Sequence, residues 1–411
     1  MMNSVVTPAK VKFAKRSFSP AIFAVMMAGG CTFLNVYCTQ PLLPLFQRLF
    51  HASELEVSLT VGAGILSVAL MAPIVGMVAE TLGRKKVIVP ALFGMAVSSL
   101  LTATAQDLHA VIFWRFVQGL FVPGVIAVII AYINEEFPDC AGSIMSAYVA
   151  GAVFGGFLGR FLTGLVATHW SWRAAFVILS ILNFLGALAV RHWLPMARNF
   201  VPAKHILKSF GDTLGHLQNY RLLAVCGMGF TVLFSLVGVF TYATFYLAKP
   251  PFDLSPVALG SVFFVYLLGC VVTPMAGRFL DRHGFRRTVL LSVGMSISGL
   301  LLTLIPRLPV VIAGLAFFSS GIFISQSAAT VLTGRVAARA RSAAAGLYVT
   351  FYYTGGSLGS VATAWFWLNG GWGACVGLMA AVSLASLGFS VLGGRAMAGG
   401  RPTSPVVDTA I

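Results

Sequence analysis

One motif of the sequence occurs twice. The stretch Gly76–Lys86 reads GMVAETLGRKK, and the stretch Gly277–Arg287 reads GRFLDRHGFRR. Both copies carry two glycines, an acidic residue between them and two closing bases, and the matched residues lie 201 positions apart. A second pair of motifs, at positions 148–159 and 348–359, repeats a Tyr-Val pair, a leucine and three glycines at an offset of 200. Two separate motifs with nearly the same period indicate that the chain consists of two halves in direct repeat.

The composition places these halves in a bilayer. Hydrophobic residues make up 58% of the 411 residues, whereas charged residues make up 9%. A soluble domain has about a quarter of its residues charged, so this composition excludes an ordinary soluble protein. Strands of a membrane barrel would alternate apolar with polar residues over about 10 positions, a pattern that the sequence lacks. We therefore predict an all-α membrane protein.

Twelve apolar windows, each near the roughly 20 residues that a helix needs to cross a bilayer, define the predicted helices. They lie at about residues 20–46, 55–79, 87–105, 110–133, 142–167, 172–194, 221–247, 256–277, 288–305, 309–332, 343–368 and 372–393. We predict an N-terminal tail (1–19), an N-terminal six-helix bundle (20–194), a linker (195–220), a C-terminal six-helix bundle (221–393) and a C-terminal tail (394–411). Because six is an even number, both bundles have the same orientation in the membrane.

The bases of the sequence predict that orientation. The chain carries 27 Lys and Arg against 11 Asp and Glu, a formal net charge of +16. A nucleic-acid partner is disfavoured, because no run of bases exceeds three residues and each run lies between apolar windows. With a cytoplasmic N-terminus, 21 bases fall in cytoplasmic loops, tails and linker, and four fall in loops on the other side. Cytoplasmic loops are enriched in Lys and Arg, so we predict cytoplasmic termini and a cytoplasmic linker.

The motifs resemble those of the major facilitator superfamily. The stretch Gly76–Lys86 is similar to its G-x-x-x-D-x-x-G-R-K signature between helices two and three, with Glu80 in place of the usual Asp. Trp114–Gly119 resembles its R-x-x-Q-G motif of helix four, and Gly151–Arg160 resembles its glycine motif of helix five. The resemblance covers essentially the whole chain. It extends to the drug:proton antiporter-like branch and to uncharacterised enteric inner-membrane permeases.

The resemblance implies that the repeated signature latches the ends of the two halves during alternating access. Its glycines permit a tight reversal and close backbone approach, and its charges can form ion pairs or cap a neighbouring helix. The second copy departs further from the pattern, because Phe285 stands where the first copy has Arg84. The predicted gating residues are Gly76, Glu80, Gly83, Arg84, Lys85, Gly277, Asp281, Gly284 and Arg286.

Two arginines, Arg115 and Arg160, lie inside apolar windows. A charged side chain there costs about 3 kcal/mol on insertion scales, so each must face a cavity, find a partner or snorkel to the interface. These alternatives stay open for both residues. The resemblance implies that helices one, four, seven and ten line a central cavity, and that Arg115 handles substrate or protons. The predicted substrate and proton pathway comprises Asn35, Arg115, Gln118, Arg160, Tyr242 and Gln326.

Glycines in the fifth and eleventh windows form two faces suited to close helix packing. In the motif of helix five, Gly156 replaces the usual Pro and Arg160 replaces the last Gly. The predicted packing glycines are Gly151, Gly155, Gly156, Gly159, Gly355, Gly356 and Gly359.

The carboxylates limit the mechanisms available. None of the 11 acidic residues falls near the middle of a predicted helix, whereas proton-coupled exporters of cations in this branch commonly use such a group. Its absence favours an anionic or neutral substrate. The fallback proton carriers are Glu135 and Glu136, at the end of the fourth window, although solvation of that helix end is an alternative role for them.

Enzymatic function is disfavoured. The stretch Gly355–Gly359 matches G-x-S-x-G, but a nucleophilic serine needs a base within hydrogen-bond reach. All seven histidines fall in loops or at the ends of windows, and Phe157 stands at the repeat position of Ser357. The sequence shows no metal-ligand cluster and no phosphate-binding loop. We expect no enzyme activity, no cofactor and no metal.

The sequence therefore predicts a monomeric secondary transporter of the bacterial inner membrane. By the resemblance, it exports a small organic solute by alternating access and draws energy from protons. Two alternatives stay open: uptake or exchange of an organic anion, and a sensor of the same fold that does not transport.

Overall fold

The computed structural model describes residues 20–197, 218–336 and 341–398, and within these ranges the chain forms helices and no strand. Eleven helical segments in this part are long and apolar enough to cross a membrane. The predicted all-α, multi-pass membrane fold is thereby confirmed.

We number the segments in chain order. They are α1 (Pro20–Phe50), α2 (Glu54–Leu82), α3 (Arg84–Ala103), α4 (Leu108–Glu136), α5 (Pro138–His169), α6 (Trp172–Trp193), α7 (Tyr220–Leu247), α8 (Pro256–His283), α9 (Phe285–Leu302), α10 (Leu308–Thr333) and a final segment, Ala344–Gly393. The regular helix of α1 ends at Val36 and resumes at Leu43, and α8 contains a 3₁₀ stretch at Phe263–Leu267.

The final segment is two helices. Its backbone leaves helical geometry at Gly370 (φ −153°) and at Gly371, where φ is +58°. The thiol of Cys375 lies 3.9 Å from the carbonyl oxygen of Thr363, 12 residues earlier. Two such positions on one straight helix would be about 18 Å apart. The chain therefore reverses at the glycine pair, and we label the arms α11 (before Gly370) and α12 (after Gly371), which brings the described helices that can span a membrane to twelve.

Polar caps fix where two of the helices begin. Ser53 and Glu56 form a capping box at the start of α2, in which the Ser53 hydroxyl accepts from the Glu56 amide at 3.2 Å and the Ser53 amide donates to the Glu56 carboxylate at 2.8 Å. Asp107 accepts from the amide of Ala110 at 2.7 Å at the start of α4. Each cap satisfies amides that have no partner within the helix, and the second sets the register of α4, which carries Arg115.

Helix ends are described near three of the predicted domain boundaries. The sixth helix ends at Trp193 and the seventh begins at Tyr220, whereas most of the predicted linker lies outside the described residues. At the other end the helix continues to Ala398, five residues beyond the predicted end at 393. The tails 1–19 and 399–411 lie outside the description as well.

The two halves repeat one packing device. In α5, a Cβ added to Gly159 would overlap the carbonyl oxygen of Leu34 on α1, and in α11 a Cβ on Gly359 would overlap that of Phe234 on α7. The pairs Gly155–Gly30 and Gly355–Phe230 repeat this contact one turn away, and Gly151 meets the carbonyl oxygen of Met26. Backbone approach this close requires glycine, so α1–α5 and α7–α11 are equivalent helix pairs.

Two of the seven predicted packing glycines face elsewhere. The nearest atoms to a Cβ on Gly156 would be Nη1 of Arg160 at 3.5 Å and Cβ of Phe33 at 3.8 Å. A Cβ on Gly356 would meet side chains, Leu233 at 2.7 Å and Ile65 at 3.2 Å. These two positions look toward the other half of the molecule or toward Arg160, and not onto a helix backbone.

The halves meet at one end. We call the end that holds the α6–α7 connection the terminal end, and the opposite end, which holds the α1–α2 and α7–α8 loops, the distal end. Near the distal end, Gly164 of α5 packs against the carbonyl oxygen of Pro256, and Ser357 of α11 donates to the carbonyl oxygen of Gly62 on α2 at 2.9 Å. The hydrogen bonds that join described residues of the two halves all lie toward this end.

Replacing Gly159 by Ala tests the glycine packing. The added methyl group overlaps the Leu34 carbonyl, so we expect the free energy of unfolding in detergent to fall by about 1–3 kcal/mol. The matched control is Gly142→Ala in the same helix, where the methyl group meets no atom within 4 Å and the change should stay within about 0.5 kcal/mol. Equal thermal stabilities of the two variants would contradict the packing.

Candidate functional site

The guanidinium of Arg115 lies inside the N-terminal half. Nη2 donates to the carbonyl oxygen of Val36 at 2.6 Å, Nε donates to that of Thr60 at 3.3 Å, and Nη1 donates to the side-chain oxygen of Gln118. The residue is 2% exposed, which rules out snorkelling in this conformation. Val36 ends the regular helix of α1, and the negative end of a helix dipole favours a cation there.

Gln118 extends the Arg115 contacts to one more helix, α3, and adds a second bond to α1. Its amide nitrogen donates to the side-chain oxygen of Asn35 at 3.0 Å and to the carbonyl oxygen of Met95 at 3.1 Å, and the Asn35 amide donates to the carbonyl oxygen of Cys31 at 3.0 Å. We call Asn35, Arg115 and Gln118 the arginine network. It joins α1, α2, α3 and α4, and three predicted pathway residues are thus in mutual contact.

Glycine lets α4 come close enough to α2 for this network to form. A Cβ on Gly119 would overlap the carbonyl oxygen of Gly64 and the hydroxyl of Ser67. The residue that follows Gln118 therefore has to be glycine for the two backbones to approach. The contact between α4 and α2 therefore explains why the last residue of the motif Arg115–Gly119 is glycine.

Arg160 occupies a second buried site, within an aromatic cage. Its Cζ lies 4.6 Å from the ring centroid of Tyr37, 4.6 Å from that of Phe263 and 4.7 Å from that of Tyr266. Nε donates to the side-chain oxygen of Gln40 at 2.7 Å, and Nη1 donates to the carbonyl oxygen of its own helix at position 156, at 2.5 Å. The residue is 2% exposed, so the outward snorkelling that the sequence left open does not occur here either.

The cage belongs to both halves. Tyr37 lies on α1, whereas Phe263 and Tyr266 lie on α8, so the guanidinium of α5 holds rings from opposite halves together. Gln40 adds a bond across the same boundary by donating to the hydroxyl of Thr241 on α7 at 3.3 Å. A cation over a desolvated ring contributes about 2 kcal/mol, which makes Arg160 a substantial contact between the halves.

Two further contacts close the distal end. Lys249, in the α7–α8 loop, lies 3.3 Å from the carboxylate of Glu54 on α2 and 4.9 Å from the ring centroid of Trp367 on α11. The amide of Val257 on α8 donates to the hydroxyl of Thr168 on α5 at 3.1 Å. An exposed ion pair contributes at most about 1 kcal/mol, so the buried contacts carry more of the closure. We call the Arg160 cage and these contacts the distal gate.

Comparison with known proteins shows the family to which the chain belongs. The family model described as Major Facilitator Superfamily matches residues 25–272. The chain belongs to the major facilitator superfamily. It is 30% identical to the uncharacterised MFS-type transporter YybF of Bacillus subtilis (strain 168), over 91% of this chain and 93% of that protein. It is 31% identical to the inner membrane transport protein YnfM of Escherichia coli (strain K12), over 91% of each chain.

Solved structures show the superfamily fold. A point mutant of the nucleoside transporter NupG superposes with a TM-score of 0.73 at 14% identity, over 90% of this chain and 99% of that one. A bacterial homologue of the human lysosomal transporter Spinster, in an inward-facing and unoccupied conformation, gives a TM-score of 0.68 at 14% identity, over 92% and 95% of the two chains. At this identity the likeness concerns the fold alone.

The superfamily signature lies at the terminal end. Arg84 makes a two-bond ion pair with Glu135 at the end of α4, with Nη2–Oε1 at 2.5 Å and Nε–Oε2 at 3.1 Å, and Lys85 donates to the carbonyl oxygen of Leu194. The signature thus ties α3 to the ends of α4 and α6 within one half. Glu80 has no hydrogen-bond or ion-pair partner among the residues that the structure describes.

In each copy of the signature, the two glycines have different surroundings and backbone conformations. Gly83 has φ +95° and Gly284 has φ +79°, a left-handed backbone that other residues adopt at a cost of about 1–2 kcal/mol. Both end one helix and begin the next without a loop, which is the predicted tight reversal. Gly76 and Gly277 have no atom near a Cβ position, so the predicted close approach is absent there in this conformation. Asp281 and Arg286 make no hydrogen bond or ion pair within the described ranges.

The two predicted pathway residues of the C-terminal half lie apart. Tyr242 is fully buried, and its hydroxyl donates to the carbonyl oxygen of Ser360 at 3.1 Å, on the same half. Gln326 is half-buried and accepts from the hydroxyl of Tyr348 at 3.1 Å. No described hydrogen bond joins either residue to the arginine network or to Arg160, so the six residues form four groups.

Sequence reasoning missed several polar groups. The hydroxyl of Tyr148, the repeat partner of Tyr348, is buried without a partner among the described residues, and so are both amide atoms of Asn183 on α6. Buried polar groups are normally hydrogen-bonded, so these atoms are exceptions among the described side chains. In the sequence, Asn183 could have been noticed as an isolated polar residue in an apolar window. No sequence feature points to the contact of Phe263 and Tyr266 with Arg160, because the sequence does not tell which helices of the two halves touch.

A small polar cavity lies inside the C-terminal half. It is lined by Thr231, Val232, Ser235, Ser292, Val293, Ser296, Ile322, Ser325, Ser383 and Ser386. The hydroxyls of Ser325 and Ser386 are buried without a partner in the described part of the chain. The cavity has room for about one water molecule, which is too small for an organic solute.

Replacing Gln118 by Leu tests the arginine network. The variant leaves the side-chain oxygen of Asn35 and one donor of Arg115 without their described partner, so we expect the free energy of unfolding to fall by about 1–3 kcal/mol. Thermal unfolding in detergent measures the change. A variant as stable as the wild type would show that the network is not a structural element of the N-terminal half.

Replacing Gly83 by Ala tests the backbone reversal between α2 and α3. We expect a loss of about 1–2 kcal/mol, because alanine is strained at φ +95°. Gly76→Ala in the same signature is the control, since its methyl group meets no atom. The interpretation is wrong if the two variants unfold at the same temperature.

Proposed function

We propose that this protein is a secondary active transporter that moves a small organic solute by alternating access, in the direction of export and in exchange for protons. Membership of the superfamily supports the transporter class. The observation that carries the proposal is the arrangement of the contacts between the halves, since the hydrogen bonds and ring contacts that join their described residues lie toward the distal end. A solute pathway closed at one end is what alternating access requires of each of its two states.

The proposed orientation places the termini in the cytoplasm of a bacterial inner membrane. It rests on the distribution of bases, since cytoplasmic loops are enriched in Lys and Arg. In this orientation the distal gate faces the periplasm. A conformation closed toward the periplasm is the one from which an exporter would take up its solute on the cytoplasmic side.

Protons are the proposed coupling ion by analogy with the superfamily branch. Within the described residues, the carboxylates of the membrane segments lie at or near helix ends: Glu54 and Glu56 at the start of α2, Glu80 near its end, Glu135 and Glu136 at the end of α4, Asp139 at the start of α5 and Asp281 near the end of α8. Glu135 is the best placed of these, because its ion pair with Arg84 joins two helices of one half. Protonation of Glu135 would weaken that pair and so alter the terminal end.

A second candidate is uptake or exchange of an organic anion. Two guanidinium groups, Arg115 and Arg160, are buried in the helices, and neither forms an ion pair with a described carboxylate. Buried cations of this kind favour an anionic solute. A thermal-shift screen of organic anions and cations on the purified protein identifies the ligand class, and counterflow of the identified ligand in liposomes then tests transport. Binding without counterflow would indicate a sensor.

Replacing Arg115 by Ala should abolish counterflow while the protein still inserts into the membrane. The side chain joins α1, α2 and α4, whose relative positions must hold while the halves rock. The control is Arg48→Ala, which removes an exposed base of the α1–α2 region whose only described hydrogen bond is to its own helix, at Pro44. Counterflow at the wild-type rate in the Arg115 variant would remove its proposed role.

A further inference from the structure

We propose that the solute is an organic carboxylate with an apolar ring, that Arg160 binds its carboxylate, and that this binding releases the distal gate. The inference rests on the proposed transport function and specifies its substrate class and its trigger. It is carried by the contacts of one guanidinium group.

The guanidinium of Arg160 has unused donors. Nε and Nη1 each make one hydrogen bond, whereas Nη2 has no acceptor among the described residues. The planar fork of arginine is suited to bidentate recognition of carboxylates, and no described carboxylate takes that role. The charge is held by rings and neutral oxygens instead. A solute carboxylate would supply the acceptor that the protein lacks.

Glycine at position 156 leaves room beside this group. A Cβ there would lie 3.5 Å from Nη1 of Arg160 and 3.8 Å from Cβ of Phe33, with no backbone of another helix in the way. These are ordinary van der Waals distances, so the space is about the size of a methyl group. Glycine at this position keeps the guanidinium free of a neighbouring side chain on its own helix.

The surroundings of Arg160 select an apolar ring as the body of the solute. The rings of Tyr37, Phe263 and Tyr266 surround the guanidinium, and aromatic side chains pack well against an aromatic ligand. A cationic solute would be repelled by Arg160. A neutral solute would leave its charge without a counter-charge.

Binding at Arg160 would act on the gate through charge. The rings of Phe263 and Tyr266 attract the guanidinium by their quadrupoles, and this attraction holds α8 to α5. A carboxylate at hydrogen-bond distance is a stronger partner for the same cation than a ring. It would draw the guanidinium from the two α8 rings, while Gln40 and Tyr37 remain on the same half as Arg160. The contact between halves weakens, and the distal end can open.

Only the N-terminal half carries an arginine at this repeat position, so carboxylate binding can act only on the contact that Arg160 makes. The residue equivalent to Arg160 in α11 is Ser360, whose hydroxyl donates to the carbonyl oxygen of Ser357 in its own helix at 2.7 Å. Ser360 carries no charge that a carboxylate could engage. The α5–α8 contact should therefore respond to the anion, whereas the α2–α11 contact should follow it passively.

Binding is measured by thermal shift on the full-length protein in detergent, with benzoate, benzamide and benzylamine as probes of equal size and different charge. We expect benzoate to stabilise the wild type and benzamide to bind at least about tenfold more weakly, since it lacks the charge of the carboxylate. Benzylamine should not bind. Arg160→Gln should lose the preference for benzoate, Arg160→Lys should retain part of it, and Arg48→Gln should behave as the wild type.

Gate opening is measured by the distance between spin labels at His169→Cys on α5 and Arg307→Cys in the α9–α10 loop. The exposed Cys140 and Cys270 are replaced by Ser in this background. Benzoate should lengthen the distance in the wild type. In Arg160→Gln the distance should be longer from the outset and should not respond to benzoate.

Each contrary result would overturn one part of the proposal. Failure of benzoate to bind, or equal binding of benzylamine, overturns the carboxylate assignment. Unchanged benzoate affinity in Arg160→Gln overturns the role of Arg160, and benzoate binding with no change in label distance overturns the trigger. Counterflow of benzoate in liposomes separates these failures from failure of the proposed function. Binding and gate opening without any counterflow would refute transport, whereas counterflow at the wild-type rate in Arg160→Gln would refute only this inference.

Discussion

A guanidinium group buried among membrane-spanning helices has to take its hydrogen-bond acceptors from the protein. Arg115 and Arg160 both meet this constraint without a carboxylate among the described residues. Arg115 uses carbonyl oxygens of α1 and α2 and the side chain of Gln118, and so fixes the helices of one half. Arg160 uses a glutamine, a carbonyl oxygen and three rings, and two of these rings belong to the other half. One cation therefore holds a half together, and the other holds the two halves to each other.

The two halves repeat the same helix packing, but only the N-terminal half carries the buried arginines. The helix pairs α1–α5 and α7–α11 share two glycine contacts at equivalent positions, those of Gly155 and Gly159 in the first pair and of Gly355 and Gly359 in the second. The positions equivalent to Arg115 and Arg160 are Leu315 and Ser360, both buried and uncharged. The two halves are therefore equivalent in helix packing and different in buried charge.

Much of the fold could be predicted from the sequence, because bilayer thickness sets helix length and the two halves repeat. The reversals at Gly83 and Gly284 were predictable as well, since their glycines recur at equal spacing before a run of bases. The partners of the arginines were not. Backbone carbonyls carry no sequence signature, and no local pattern tells that Phe263 and Tyr266 of α8 face α5. The buried amide of Asn183 was overlooked because a single polar residue in an apolar window usually bonds to its own helix.

The central claim is that solute crosses the membrane by opening and closing of the distal gate, which is tested most directly by locking that gate. Cysteines at Thr168 and Val257, whose hydroxyl and amide are 3.1 Å apart across the α5–α8 contact, can form a disulfide in a background without the native cysteines. Counterflow of the identified ligand in liposomes is then measured before oxidation, after oxidation and after reduction. The account predicts that oxidation stops counterflow while ligand binding persists, and that reduction restores it. Counterflow that continues at an unchanged rate with the disulfide formed would contradict the account.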